Sequence, residues 1–194
     1  MHTDRPHLST ERLILRMPGQ SDVPGLIRYF DENAEHLRPW EPVRHPDFLT
    51  PEFWETQIEK YEEEFRADRA LRLFMFDKSN AERVIGVASF SNYVRRSAQY
   101  CNLGYSVSLK EQGKGHMQEG LRAAIDYVYK ELNMHRVMAN YMPRNERSGR
   151  LLRRLGFVVE GYARDYLLIN GRWEDHILTS LVNPDWQPGQ ARKR

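Results

Sequence analysis

Along the chain, stretches in which apolar and polar residues alternate give way to stretches in which apolar residues recur every three to four positions, and each change of period marks a new element. Residues 9–17 alternate Leu13 and Leu15 with Arg12, Ile14 and Arg16, which predicts a first strand. Ser21-Asp22-Val23-Pro24 then supplies a cap, an acidic first turn and an early proline for a helix carrying Leu26, Ile27 and Phe30 and ending near His36. The stretch His36-Leu37-Arg38-Pro39-Trp40-Glu41-Pro42 reads as a rigid loop, because proline disfavours the α conformation in the residue before it. Thr50-Pro51-Glu52 caps a second helix whose buried side is Phe53, Trp54, Ile58, Tyr61 and Phe65. Strands follow over 72–77 and 83–93, joined by a polar turn, and the second is apolar enough to be central.

Leu103, Tyr105 and Val107 alternate with small or polar residues as in a strand, and Leu121, Ala124, Ile125 and Val128 mark a helix over 118–131. Between them lies Gln112-Gly113-Lys114-Gly115-His116-Met117. Residues 135–141 predict the next strand, parallel to 103–107 by strand–helix–strand logic. Asn145 is a plausible cap for a short helix through Leu151, Leu152 and Leu155, closed by Gly156, and Asn170-Gly171 joins two final strands over 157–169 and 172–182. There are no repeats, and the 194 residues read as one domain, with 187–194 as a flexible basic tail.

The glycine stretch changes the picture from a bare sheet to a candidate anion site. Two glycines let the backbone approach a ligand closely, and the first-turn N–H groups of the following helix lack intrahelical partners. That arrangement suits a pyrophosphate. It is neither a Walker loop, since His116 follows Gly115, nor a dinucleotide fingerprint, since Gln118 stands where the third glycine belongs. Composition narrows the partners. A net charge of +2 with 40% hydrophobic residues describes a globular chain without the basic field of nucleic-acid binders, so no DNA partner is expected. No apolar run reaches membrane-span length, and the start lacks a signal peptide's apolar segment, so the expected location is cytoplasmic, away from membranes. Cys101 is the single cysteine and the histidines show no paired ligand spacing, so no disulfide and no metal are expected.

Gln112 and Gly115 fit the Gln-x-x-Gly-x-(Gly or Ala) loop by which GCN5-related N-acetyltransferases bind the pyrophosphate of acetyl-CoA, with Met117 departing at the last position. The Thr-Glu-Arg-Leu-x-Leu-Arg opening, Asn145-Glu146-Arg147-Ser148 and Leu155-Gly156-Phe157-Val158-Val159-Glu160-Gly161 extend the resemblance over nearly the whole chain. Arg38-Pro39-Trp40-Glu41-Pro42-Val43-Arg44, Met138-Ala139-Asn140-Tyr141-Met142-Pro143 and Asp165-Tyr166-Leu167-Leu168-Ile169 resemble the branch that acetylates N-terminal alanine on ribosomal proteins. The resemblance implies a mixed sheet of about seven strands, splayed between the fourth and fifth and flanked by about four helices. It also implies acetyl-CoA as co-substrate and the N-terminus of a small-subunit ribosomal protein as acceptor, with association at the ribosome, and leaves the oligomeric state undetermined.

By that resemblance Tyr105, Ser106 and Val107 line the pantetheine arm, and Gln112, Gly113, Lys114, Gly115, His116 and Met117 hold pyrophosphate, with Asn140 and Asn145 completing the cofactor contacts. Lys114 fits equally a solvated loop lysine, Asn140 a turn residue and Asn145 a simple N-cap. Ser148 is expected near the sulfur, where its hydroxyl can donate to the departing thiolate. Trp40 and Glu41 are expected to line the acceptor groove, against core packing and a solvent-facing glutamate. The base is open among Asp165, Glu160, Glu119, His176 and a water chain. An N-terminal amine, with a pKa about 7.7–8.0 against about 10.4 for lysine, needs only a modest one. Alternatives are an acetyltransferase for a small amine or antibiotic, which predicts an acidic pocket, and a low-turnover CoA-binding ribosome factor.

Overall fold

The computed structural model describes residues 5–188, so the basic tail expected over 187–194 falls almost entirely outside the described residues. Among the described residues eight strands form one sheet in the order β1-β2-β3-β4-β5-β6-β8-β7. They are β1 (His7–Ser9), β2 (Leu13–Arg16), β3 (Leu71–Asp77), β4 (Asn80–Val94), β5 (Tyr100–Val107), β6 (Arg136–Met138), β7 (Val158–Ile169) and β8 (Arg172–Val182). The helices are α1 (Val23–Glu32), α2 (Ala34–Leu37), α3 (Pro51–Arg66), α4 (His116–Lys130) and α5 (Glu146–Arg154). The eighth strand arises at the start. Thr10 folds back, its N–H donating to the Leu13 carbonyl at 2.9 Å, so that residues 7–9 form an added strand along β2, while the strand expected over 9–17 is realised as Leu13–Arg16.

Strand β3 shows why both faces must be covered. Leu73 and Met75 point into a core with Leu13, Leu121, Val128 and Leu152, while Phe74 and Phe76 point into a second core with Leu26, Tyr29, Trp54 and Ile58. Helices α4 and α5 therefore pack on one face and α1 and α3 on the other. Each fully buried Leu or Phe contributes about 1.5–3 kcal/mol of transfer free energy, so the sheet is clamped from both sides. Thr50 caps α3, its hydroxyl accepting from the Phe53 N–H at 3.3 Å. Asn170 and Gly171 both adopt positive φ, as the two central residues of a type I′ turn require.

One junction sets the position of everything functional. β5 and β6 are parallel and pair only at Tyr100·Arg136, Cys101·Val137 and Asn102·Met138. Beyond that, Tyr105 and Val107 remain registered with Ala88 and Gly86 of β4. On the other arm Ala139 donates to Thr179 at 3.0 Å and Tyr141 to Ile177 at 3.1 Å, so this segment stays with β8. The sheet opens into a wedge between these arms. This is the expected splay, displaced from fourth/fifth to fifth/sixth by the added strand β1.

Candidate active site

Backbone alternation fixes what faces the wedge. Ser108 donates to Ile85 on β4, while the Gln99 carbonyl accepts from the β6 side, so odd-numbered residues of β5 turn their peptide groups away from β4. The N–H and C=O of Tyr105 and Val107 are thus aimed into the gap, whereas those of Ser106 are aimed at β4. Ser106 enters the site by its side chain instead, 2.9 Å from the Tyr29 hydroxyl on the α1 face. On the opposite arm the same alternation turns the Asn140 peptide toward the gap, and its side-chain oxygen accepts from the Thr179 N–H at 3.3 Å.

The wedge runs out toward the N-terminus of α4. Gly113 and Gly115 have φ of 76° and 83°, and a Cβ on Gly113 would meet open space. Gly115 occupies the N-cap position without a side chain, so no side-chain group satisfies the first-turn donors; the first backbone bond of the helix is Glu119 N–H to Gly115 C=O at 3.0 Å. Uncapped donors at the positive end of a helix dipole fit a phosphate group. Met117 breaks the sequence pattern harmlessly, because its side chain turns into the core and its Cε lies 3.1 Å from the position of a Cβ on Gly86. Lys114 is held 3.1 Å from Glu111, and His116 Nδ1 approaches the same buried carboxylate at 3.1 Å. Lys114 thus first serves Glu111, which Arg83 also binds. Burial pushes the Glu111 carboxyl up, but these hydrogen bonds outweigh it and leave its pKa below the ordinary value.

The first turn of α5 lies against one side of the wedge. Asn145 is its N-cap, accepting from the Ser148 N–H at 3.2 Å. The Ser148 hydroxyl lies 2.7 Å from the Tyr105 hydroxyl. Burial pushes the Tyr105 phenol up to about 12, with the Ser148 bond opposing, so the phenol keeps its proton at neutral pH. A tyrosine that donates to Ser148 leaves the serine O–H free for a sulfur leaving group. Gly149 permits the close packing here, since a Cβ at that position would lie 2.7 Å from the Tyr141 ring. Across the mouth, Gln112 lies 3.0 Å from His36 Nε2 and accepts from Arg147, and His36 Nε2 also lies 3.3 Å from the Val107 carbonyl. His36, Arg147 and the side chain of Tyr105 were given no role from sequence. Arg147 lies inside the recognisable Asn145–Ser148 motif, whereas His36 offered only its place before a proline-flanked turn.

The other face carries the loop expected to bind the acceptor. Trp40 ends a short 3-10 turn over 38–40 and lies under the Arg144 guanidinium, 5.4 Å from its ring centroid. Arg144 also donates to Glu174 at 2.6 Å and to the Pro39 carbonyl at 3.2 Å. Glu41 accepts from Arg44 and, through its backbone carbonyl, from Asn170 at 2.9 Å, tying the loop to the β7–β8 turn.

The candidate bases separate sharply. Glu160 pairs with Arg136, whose strand partner Tyr100 lies at the closed end of the wedge, so Glu160 is remote from the open arms. Glu119 is fixed by Thr10 at 2.6 Å and Arg12 at 2.7 Å, which tie α4 to the first turn of the sheet. Asp165 sits at an irregularity of edge strand β7 with φ of 46°, exposed, its N–H donating to Asp175. His176 alone is buried beside the open arms, on β8, and its Nδ1 lies 2.9 Å from the Glu174 carbonyl. Among the described residues no group of three or more His, Cys, Asp or Glu could hold a metal, and no helix is long and apolar enough to cross a membrane.

The splayed mixed sheet with an uncapped glycine-led helix at its mouth fits an acyltransferase, and residues 12–158 match the acetyltransferase (GNAT) domain family. The chain belongs to this family and is an acetyltransferase; members of the family use acetyl-CoA. It is 49% identical over 183 residues to the [ribosomal protein uS5]-alanine N-acetyltransferase of Escherichia coli K12, covering 94% of each chain. The crystal structure of ribosomal-protein-S5-alanine acetyltransferase from Vibrio fischeri superposes with a TM-score of 0.89 at 42% identity, covering 94% of this chain and 100% of that one. Mycobacterium smegmatis RimJ in complex with CoA-disulfide gives 0.81 at 25% identity, over 88% and 81% of the two chains.

Proposed function

We propose that this acetyltransferase moves the acetyl group of acetyl-CoA to the α-amine of an N-terminal alanine on a small-subunit ribosomal protein, by direct attack within a ternary complex. The observation that carries the reading is the wedge, which offers peptide groups without a strand partner and the uncapped donors of α4. Near-half identity to the uS5-specific relative supports the acceptor. The peptide groups of Tyr105, Val107 and Asn140 hold the pantetheine arm, and the backbone of Gly113 to Met117 holds pyrophosphate. Acetyl-CoA supplies an activated thioester.

The residues of the chain divide the remaining work. An N–H of the open β5 edge, at Tyr105 or Val107, polarises the carbonyl, and removing such a donor in other enzymes costs about 2.7–4 kcal/mol. Ser148, positioned by Tyr105, donates to the departing thiolate. A free thiol has a pKa about 8.5, so the leaving group needs a hydrogen bond more than full protonation. Cys101 supports no acetyl-enzyme route: it is fully buried at the closed end of the wedge, and burial pushes its thiol up to about 12. The acceptor-side carboxylates Glu41 and Glu174 are already held by Arg44 and Arg144. A polyamine pocket would need such carboxylates free, so the groove suits a peptide. The chain acts as one cytoplasmic domain that meets its acceptor at the ribosome.

Steady-state assays with an alanine-initiated uS5 peptide and with spermidine decide the acceptor class. The peptide is expected to be acetylated at its α-amine with kcat/KM at least about a hundredfold above spermidine. Preference for spermidine would contradict the peptide groove.

A further inference from the structure

We propose that His176 takes the proton from the attacking amine, using Nε2. The inference rests on the reading above and identifies the base that the sequence left open. Its imidazole is 3% exposed, yet it is not locked into the core by both nitrogens. Nδ1 lies 2.9 Å from a carbonyl oxygen, which can only accept, so Nδ1 carries a proton and the neutral imidazole is the tautomer with its lone pair on Nε2. Nε2 has no protein hydrogen-bond partner among the described residues.

Register places this nitrogen at the reacting level. Asn102 of β5 is paired with Met138, so three residues further along each arm Tyr105 stands level with Tyr141. Tyr141 in turn bridges to Ile177, the neighbour of His176. Leu181 packs with the α4–α5 core, so alternation along β8 turns Ile177 to that face and His176 to the opposite one. That opposite face carries α1 and the Trp40 loop, from which the acceptor approaches. The ionisable groups around the imidazole are Tyr166, with ring centroids 5.6 Å apart, Glu174 beside it on β8, and Asp175 next in the chain. Tyr166 also accepts from Asn140 at 3.4 Å, linking the histidine cluster to the open arm of the wedge. Glu174 is held by Arg144, and Asp175 by the Tyr162 hydroxyl on the other face.

The step balances without a further reactant. The amine nitrogen attacks the thioester carbon, the C–N bond forms and the C–S bond breaks. The proton shed by nitrogen goes to His176 Nε2 and then to solvent, while the thiolate leaves against the Ser148 hydroxyl and is protonated from solvent.

His176→Asn places a side-chain N–H where Nδ1 donates and removes the basic nitrogen; His176→Ala leaves room for added imidazole. With an alanine-initiated peptide, His176→Asn is expected to lower kcat about a hundredfold or more while calorimetric affinity for acetyl-CoA stays within about threefold, and imidazole is expected to restore part of the rate of His176→Ala. Parental kcat within about threefold in the Asn variant, or a loss in the Ala variant that imidazole leaves untouched, would overturn the assignment. Should the parent enzyme itself leave the peptide unmodified, the acceptor reading fails first and His176 falls with it.

Discussion

Ser148 and Tyr105 illustrate how two side chains forty-three positions apart become one device. The sequence motif Asn145 to Ser148 points to the serine, but nothing in the chain near Ser148 names its partner; β5 delivers Tyr105 to 2.7 Å from it only after the wedge has formed. Ser148→Ala removes the donor to sulfur and is expected to lower kcat about tenfold to a thousandfold with acetyl-CoA affinity nearly unchanged. Tyr105→Phe frees the serine from its orienting bond and is expected to cost less, about threefold to thirtyfold. Pre-steady-state rates for both variants check this; a larger loss for Phe than for Ala would reverse the two roles. The candidate bases show the converse limit. Glu160 and Glu119 stand among the candidate bases along the chain, whereas their partners Arg136 and Arg12 lie 24 and 107 positions away. Long-range ion pairs leave no local signature, so tertiary structure alone could remove these residues from the site and leave His176.

At the level of elements, sequence and structure agree wherever a local rule dictates the backbone. Thr50 caps α3, Asn145 caps α5, and Asn170-Gly171 turns the final hairpin, each by chemistry confined to a few residues. The first strand departs because the Thr10 N–H bonds the Leu13 carbonyl and folds residues 7–9 back along β2 as an added strand, a turn without glycine or proline to announce it. Helix α4 matters most. Gly115 holds φ of 83° at its N-cap, and a Cβ there would also come within 3.3 Å of the Arg12 guanidinium, which donates to the Lys114 carbonyl. Gly115→Val is expected to destabilise the fold by about 1–3 kcal/mol and to weaken acetyl-CoA binding at least about tenfold. Calorimetry at a temperature where the variant is folded reads the second effect separately, and unchanged affinity would exclude the helix N-terminus as the pyrophosphate site.

For the whole molecule, the alternation of strands and helices made the fold class readable, because each apolar period fixes which face of an element must be covered. The wedge itself is legible only through resemblance. Its physical cause is a competition for partners: β5 continues along β4, the segment after Met138 continues along β8, and Tyr141 seats its ring on Gly149 at the start of α5. Opening the sheet exposes peptide groups at a place where two helix N-termini, an uncapped one and one carrying Ser148, converge from the same side. The loop proposed to meet the acceptor closes the other side through Glu41 and Asn170. Acetyl transfer to a protein N-terminus agrees with the proposed division of the molecule into a cofactor face and a peptide face. Intact-mass spectrometry of small-subunit ribosomal proteins from cells lacking the activity, after incubation with this enzyme and acetyl-CoA, tests it most directly. A single acetyl group gained by uS5 and mapped to its N-terminal alanine is the predicted result, whereas no mass gain on any ribosomal protein, alongside acetylation of a small amine, would contradict it.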